Sequence, residues 1–152
     1  NLSSDIISVG VFVDAEPEEI LSLFEDEVID VAQLHGRESE EYIMQLKEKT
    51  DNGLKIIKAI EISEDTDLSV YDLSAADYLL LDSGKGSGKT FDWRLIKKDL
   101  KKEFFLAGGL DSSNISRAIS EFNPYAVDLS SSLETNGLKD ENKIKEIMEV
   151  VK

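Results

Sequence analysis

Short apolar runs recur along this chain at a nearly fixed step, and that recurrence constrains the fold more than any other feature. Six runs, at residues 7–13, 31–35, 55–60, 78–82, 103–107 and 126–130, start 23 to 25 residues apart. They are rich in Val, Ile and Leu and mostly continuous in apolar character, as strands covered on both faces of a parallel sheet read. The segments between them carry helical spacing. Ile115, Ala118, Ile119 and Phe122 fall at i, i+3, i+4 and i+7, behind the cap cluster Asp111-Ser112-Ser113 and ahead of Pro124. Ile144, Ile147, Met148 and Val151 repeat the pattern after Asp140 and Glu141, whose charge suits a helix N-terminus. Tyr42, Ile43 and Leu46 follow Ser39, and Ile20, Leu23 and Phe24 follow Pro17. Residues 64–73 and 92–100 predict helices on weaker patterns. Strand then helix, six times over, requires parallel pairing through crossovers, so the fold class is α/β.

What each run ends on separates a barrel from an open sheet. Asp14, His35-Gly36, Glu61, Asp82, Gly108-Gly109 and Asp128 with Ser130 put polar or glycine residues at nearly every strand end. A doubly wound sheet concentrates its site at one switch point, whereas a (β/α)₈ TIM barrel collects it from the C-terminal ends of all its strands. The pattern predicts the barrel, with residues 1–152 as a single partial domain. Eight units at this period need roughly 190–200 residues, so six of eight are expected here, with two units of about 48 residues in all expected on the N-terminal side.

Three strand-end segments carry chemistry. Asp82 emerges from Leu79-Leu80-Leu81 and precedes a loop with three glycines at 84, 86 and 88. A carboxylate leaving an apolar strand at a barrel mouth has a route to a raised pKa, and the loop is a candidate lid. Gly88-Lys89-Thr90 suggests a nucleotide P-loop, but the first glycine of that motif would fall at Ser83, so the spacing fails. The paired Gly108 and Gly109 and the hydroxyl-rich Ser130-Ser131-Ser132 follow the last two strands, where barrels build phosphate cups from backbone N–H groups. Taken singly these are turn glycines and capping serines. Together at adjacent strand ends they point to a phosphorylated small-molecule substrate. His35 shares that end of the barrel with Asp82, and Trp93 reads as a core anchor.

Composition excludes other classes. Thirty-two acidic against 17 basic side chains give a net charge of −15, which repels nucleic acid at long range. There is no cysteine and one histidine, so disulfides, thiolate zinc and an all-histidine metal site are impossible within the chain. No export signal or membrane-length apolar run is present, so no membrane partner is expected and the expected location is cytoplasmic.

The motifs Gln33-Leu34-His35-Gly36, Leu81-Asp82 with its Gly-Ser-Gly-Lys-Thr-Phe-Asp-Trp loop, Leu106-Ala107-Gly108-Gly109-Leu110 and Val127-Asp128-Leu129-Ser130-Ser131 resemble, in order and spacing, the phosphoribosylanthranilate isomerases of tryptophan biosynthesis. The resemblance implies an Amadori rearrangement of N-(5-phosphoribosyl)anthranilate without metal or organic cofactor, and six units corresponding to the third through eighth. It implies Asp82 as the general acid that opens the furanose ring, His35 on the anthranilate side, Asp128 near the ribose, and Gly108, Gly109, Ser131 and Ser132 at the phosphate. Ser132 stands where the family carries Gly or Ala. The family's general base is a cysteine on its first strand and its anthranilate-contacting arginine lies near the second, and neither has a counterpart here. The resemblance therefore implies a chain inactive alone, which self-associates by swapping or takes up an N-terminal complementing segment. A related phosphosugar isomerase with paired carboxylates and a non-catalytic phosphate-binding half-barrel are the competing readings.

Overall fold

The computed structural model describes residues 6–82, 93–96 and 100–151. Six parallel strands, β1 (Val9–Phe12), β2 (Val31–Leu34), β3 (Lys55–Glu61), β4 (Tyr78–Asp82), β5 (Phe104–Leu106) and β6 (Ala126–Val127), lie side by side in chain order. Each new strand adds beside the last and in one direction, which is barrel order and not the reversed order of a doubly wound sheet. The crossovers are α1 (Pro17–Glu25), α2 (Glu40–Lys49) and α3 (Ile115–Phe122), and α4 (Glu141–Val151) follows β6.

The helices form where the spacing predicts. Pro17 opens α1, and Ser39 caps α2 by accepting from the Tyr42 N–H. Two expectations are corrected, at 64–73 and at the start of α3. The segment 64–73 is a 3₁₀ helix over Leu68–Leu73, not an α-helix, and its Asp67 cap accepts from the Ser69 N–H. Of 92–100, the 3₁₀ turn Trp93–Leu95 is described and the rest of the span lies largely outside the described residues. At α3 the cap residue is Asn114, while the Asp111 carboxylate accepts from the Ser113 N–H and hydroxyl one turn earlier. A short hairpin, β7 (Glu134–Thr135) with β8 (Leu138–Lys139), was not expected at all.

Two apolar clusters fill the space between sheet and crossovers. Ile20 and Leu21 of α1 and Ile43 and Leu46 of α2 pack on Phe12, Ala32, Leu34 and Ile56. Leu68, Ile96, Leu110 and Ala118 pack on Ile60, Leu79, Leu81 and Leu106. Trp93 joins the second cluster, edge-on to Phe122 with the Arg117 guanidinium over its ring, so it is a core anchor. Side chains alternate across each strand, so the concave face holds Ile57, Leu80 and Ala107 with Tyr78 and Phe105. At β1 that face is open: Val11 is 62% exposed, and Val13, just past the strand, 66%. Among the described residues no helix is long and apolar enough to cross a membrane.

Candidate active site

Strand register decides which strand-end groups meet. Leu81 pairs with Leu106, and Leu106 with Val127, so Asp82, Ala107 and Asp128 form one row across the concave face. The ladder continues along it, with Ala107 N donating to Leu81 O and Asp128 N to Leu106 O, both at 2.9 Å. Strands lie ~4.8 Å apart, so the two aspartates start about 10 Å apart at the backbone. Ala107 lies between them in the row. Asp128 keeps an exposed surface at the mouth, yet the loss of water around its carboxyl group pushes it above the usual range and the neighbouring Asp82 charge adds to that, against smaller opposing effects of His35 and Lys139.

The row opens on a cavity of ≈ 580 Å³, a size suited to a small organic ligand. Asp82, Asp128, Gly108, Gly109, Ser131 and Ser132 all line it, so the structure brings together six of the seven residues the sequence points to. His35 is exposed at the end of β2 and is not part of that lining, although its charge acts on Asp128. The candidate lid lies outside the described residues.

Gly108 and Gly109 have φ of 81° and 65°, a left-handed pair that side chains resist. Asn114 holds this turn: its Nδ2 donates to Gly109 O at 2.9 Å and its Oδ1 accepts from Asp111 N at 3.0 Å. The sequence reading passed over Asn114 because the acidic and hydroxyl residues before it looked like the cap. Facing the glycines, Ser131–Leu133 makes one 3₁₀ turn. The Ser132 hydroxyl is buried and has no hydrogen-bond partner among the described residues. Lys143, also passed over, lines the cavity from α4 and donates to Glu134 O at 2.5 Å. It brings a cation to a wall otherwise bearing Asp82, Asp111, Asp128 and Glu146. Among the described residues no three His, Asp or Glu side chains are gathered as a metal site gathers them. The arrangement brings N–H and hydroxyl groups and paired carboxylates to one cavity, which suits an anion bound beside acid-base chemistry.

A sequence profile of the family described as N-(5'phosphoribosyl)anthranilate (PRA) isomerase matches residues 3–150. The N-(5'-phosphoribosyl)anthranilate isomerase of Endomicrobium trichonymphae is 44% identical over 157 residues, which cover 99% of this chain and 75% of that protein. Among solved structures, the phosphoribosyl anthranilate isomerase of Thermus thermophilus superposes with a TM-score of 0.85 at 30% identity, covering 99% of this chain and 74% of that one. Another phosphoribosyl anthranilate isomerase, in complex with reduced 1-(o-carboxyphenylamino)-1-deoxyribulose 5-phosphate, superposes at 0.79 with 34% identity, covering 97% and 72%.

Proposed function

The chain belongs to the N-(5'-phosphoribosyl)anthranilate isomerase family, and we propose that the Asp82–Asp128 row is its acid-base centre and the glycine–serine end of the cavity its phosphate site. The function is the intramolecular aldose–ketose isomerisation of tryptophan biosynthesis. Asp82 delivers a proton to the furanose ring oxygen as the bond from C1′ to that oxygen breaks, leaving a protonated imine (iminium) between C1′ and the anthranilate nitrogen and Asp82 as the carboxylate. Removal of the C2′ proton by a base gives an enolamine, which tautomerises to the 1-deoxyribulose product. The 5-phosphate sits against the backbone of Gly108 and Gly109 and against Ser131 and Ser132. Asp128 faces the ribose, and His35 lies on the anthranilate side.

One observation carries this reading. The six lining residues converge on one cavity from the ends of three adjacent strands. The ligand in the related complex, a carboxyphenylamino ribulose 5-phosphate, carries a phosphate of the kind that backbone N–H groups and hydroxyls hold.

The six strands are six of the eight of a closed barrel, a reading supported by their sequential order and by the three-quarters share of the Endomicrobium relative that the chain covers. The base that takes the C2′ proton belongs to another strand, since the family's base is a cysteine and the 152 residues contain none. The chain by itself therefore binds but turns over little. Its open β1 face accepts an N-terminal βαβα segment or a swapped neighbour. Calorimetry with the reduced product analogue, beside a turnover assay with and without an N-terminal segment of a full-length relative, tests both parts. Binding alone, with turnover only on complementation, is expected. No analogue binding overturns the site assignment, and unaided turnover at the complemented rate overturns the incomplete-barrel reading.

A further inference from the structure

At the same end of the sheet, and outside the main cavity, Glu38 and Lys58 form an ion pair at 2.8 Å with side chains 0% and 10% exposed. Lys58 interrupts the apolar run of β3, and its Nζ also donates to Gly36 O at 2.7 Å and Leu34 O at 3.4 Å. The other oxygen of Glu38 accepts from Asp14 N at 2.9 Å and Gly36 N at 3.1 Å. Asp14 in turn takes the Arg37 N–H at 2.5 Å. Buried ion pairs contribute little net stability relative to apolar replacements, because desolvation offsets their attraction. A pair retained with this many backbone partners calls for an explanation other than stability.

Two of these backbone partners, the Leu34 carbonyl and the Gly36 N–H, lie on the peptide units that flank one residue. His35 is joined to Leu34 by one peptide unit and to Gly36 by the next. In the first unit the Leu34 carbonyl is held by Lys58, and the His35 N–H donates to Phe12 O at 2.8 Å. In the second unit the Gly36 N–H is held by Glu38. Fixing both peptide planes fixes φ and ψ at the Cα between them, and with them the direction in which the imidazole leaves the backbone. Gly36 is part of the device: a Cβ there would lie 2.7 Å from Glu38 Oε1 and press on the Asp14 carboxylate, so no larger residue fits under the clamp.

We propose that Glu38 and Lys58 are positioning residues, a buried clamp that aims His35 at the aromatic end of the ligand while touching neither ligand nor reacting atoms. This rests on the reading that places His35 on the anthranilate side. The clamp spans the ends of β1, β2 and β3, so it transmits order from the covered outer face of the sheet to an exposed side chain on the mouth. Preorganised sites need such support, because loss of alignment by about 1 Å costs affinity and rate steeply.

His35 is the only histidine in the 152 residues, so its imidazole proton resonances report on it without assignment ambiguity. The test compares the wild-type chain with Lys58→Met, with the isosteric Glu38→Gln should Lys58→Met fail to fold by far-UV circular dichroism, and with Lys58→Arg as rescue. Two affinities are measured, for the reduced product analogue and for inorganic phosphate. The clamp predicts shifted or exchange-broadened His35 signals and about tenfold weaker analogue binding, with phosphate affinity within about twofold of wild type and both effects largely reversed in Lys58→Arg. Unchanged His35 signals overturn the proposal. So does an equal loss of both affinities, which is what a merely structural pair produces. Failure of the wild-type chain to bind the analogue falls on the functional reading instead, and the His35 signals still decide whether the clamp exists.

Discussion

Glu38 and Asp128 are two acids at the same end of one sheet, and their surroundings drive them in opposite directions. Burial works to raise the Glu38 carboxyl, but the Lys58 hydrogen bond and the Asp14 N–H outweigh it and hold the group below the usual range. Loss of water around its carboxyl group raises Asp128, and its strongest charged neighbour, Asp82, raises it further. The first acid is surrounded by donors and its proton state is settled by the fold. The second shares a cavity wall with a like charge, so its proton state is left responsive to whatever enters. The contrast separates scaffold from chemistry without reference to any relative.

The sharpest way to break the contrast is to neutralise the chemical side. With the barrel completed by an N-terminal segment, Asp82→Asn is expected to lower turnover by about 10²–10⁴-fold, since one partner of a general acid-base pair is lost. Affinity for the reduced product analogue should stay within about tenfold. Near-wild-type turnover removes Asp82 from the mechanism.

On the scaffold side the expected loss is in stability. Glu38→Ala strands the Lys58 ammonium in a site where its side chain is 10% exposed, and breaking a buried pair in this way costs about 3–5 kcal/mol. Urea denaturation measures it. A loss of well under 1 kcal/mol would mean that water reaches Lys58 and that the pair is not buried in solution.

The third test uses pH to set the two acids against each other. Asp128 has a raised folded-state pKa, so its contribution is favourable below the unfolded value, about 3.9, and is lost as pH rises through the folded value. Asp128→Asn should therefore raise the melting temperature at neutral pH, and the gain should vanish below about pH 4, where the wild-type group is protonated in both states. Glu38 has a lowered folded-state pKa and the opposite sign. Its stabilisation is present above the unfolded value, about 4.3, and disappears as pH falls through the folded one. A stability gain in Asp128→Asn that persists undiminished into acid would show that the substitution acts through packing.

How far these regions could be read from sequence follows the same division. The strands were legible because burial on both faces makes them near-continuous apolar runs, and α1 and α2 because Pro17 and Ser39 begin them as expected. The observed strands are shorter at several ends, most of all β6, whose ladder covers Ala126–Val127. Hydropathy continues past the point where the chain turns to build the mouth. The cavity residues were legible because strand ends are marked by Asp, Gly and Ser. The clamp was not, because its bonds join residues about 20 apart and a lysine inside β3 carries no local sign of its carboxylate. That lysine, between Ile57 and Ala59 in a run apolar on both sides, was nonetheless the available signal, since a cation there must find a partner. The β7–β8 hairpin also had its signal in Asn136-Gly137, which adopt φ of 54° and 77°. Two-residue strands are too short to show alternation around it.

The smallest expected effect concerns Ser132, at the glycine–serine part of the cavity. Its buried hydroxyl lacks a partner among the described residues. A buried hydroxyl left unsatisfied costs about 1–3 kcal/mol, whereas removing the group removes the penalty. Ser132→Ala is therefore expected to stabilise the ligand-free chain by about 1 kcal/mol, a rise of about 2–4 °C in melting temperature for a domain near this size. Ser132→Gly should gain less, because the added backbone freedom of glycine in the unfolded chain offsets part of it. The difference between the two isolates the hydroxyl from the backbone. An unchanged or lowered melting temperature in Ser132→Ala would mean that water already satisfies the hydroxyl, and this part of the cavity would then be wetter than its geometry implies.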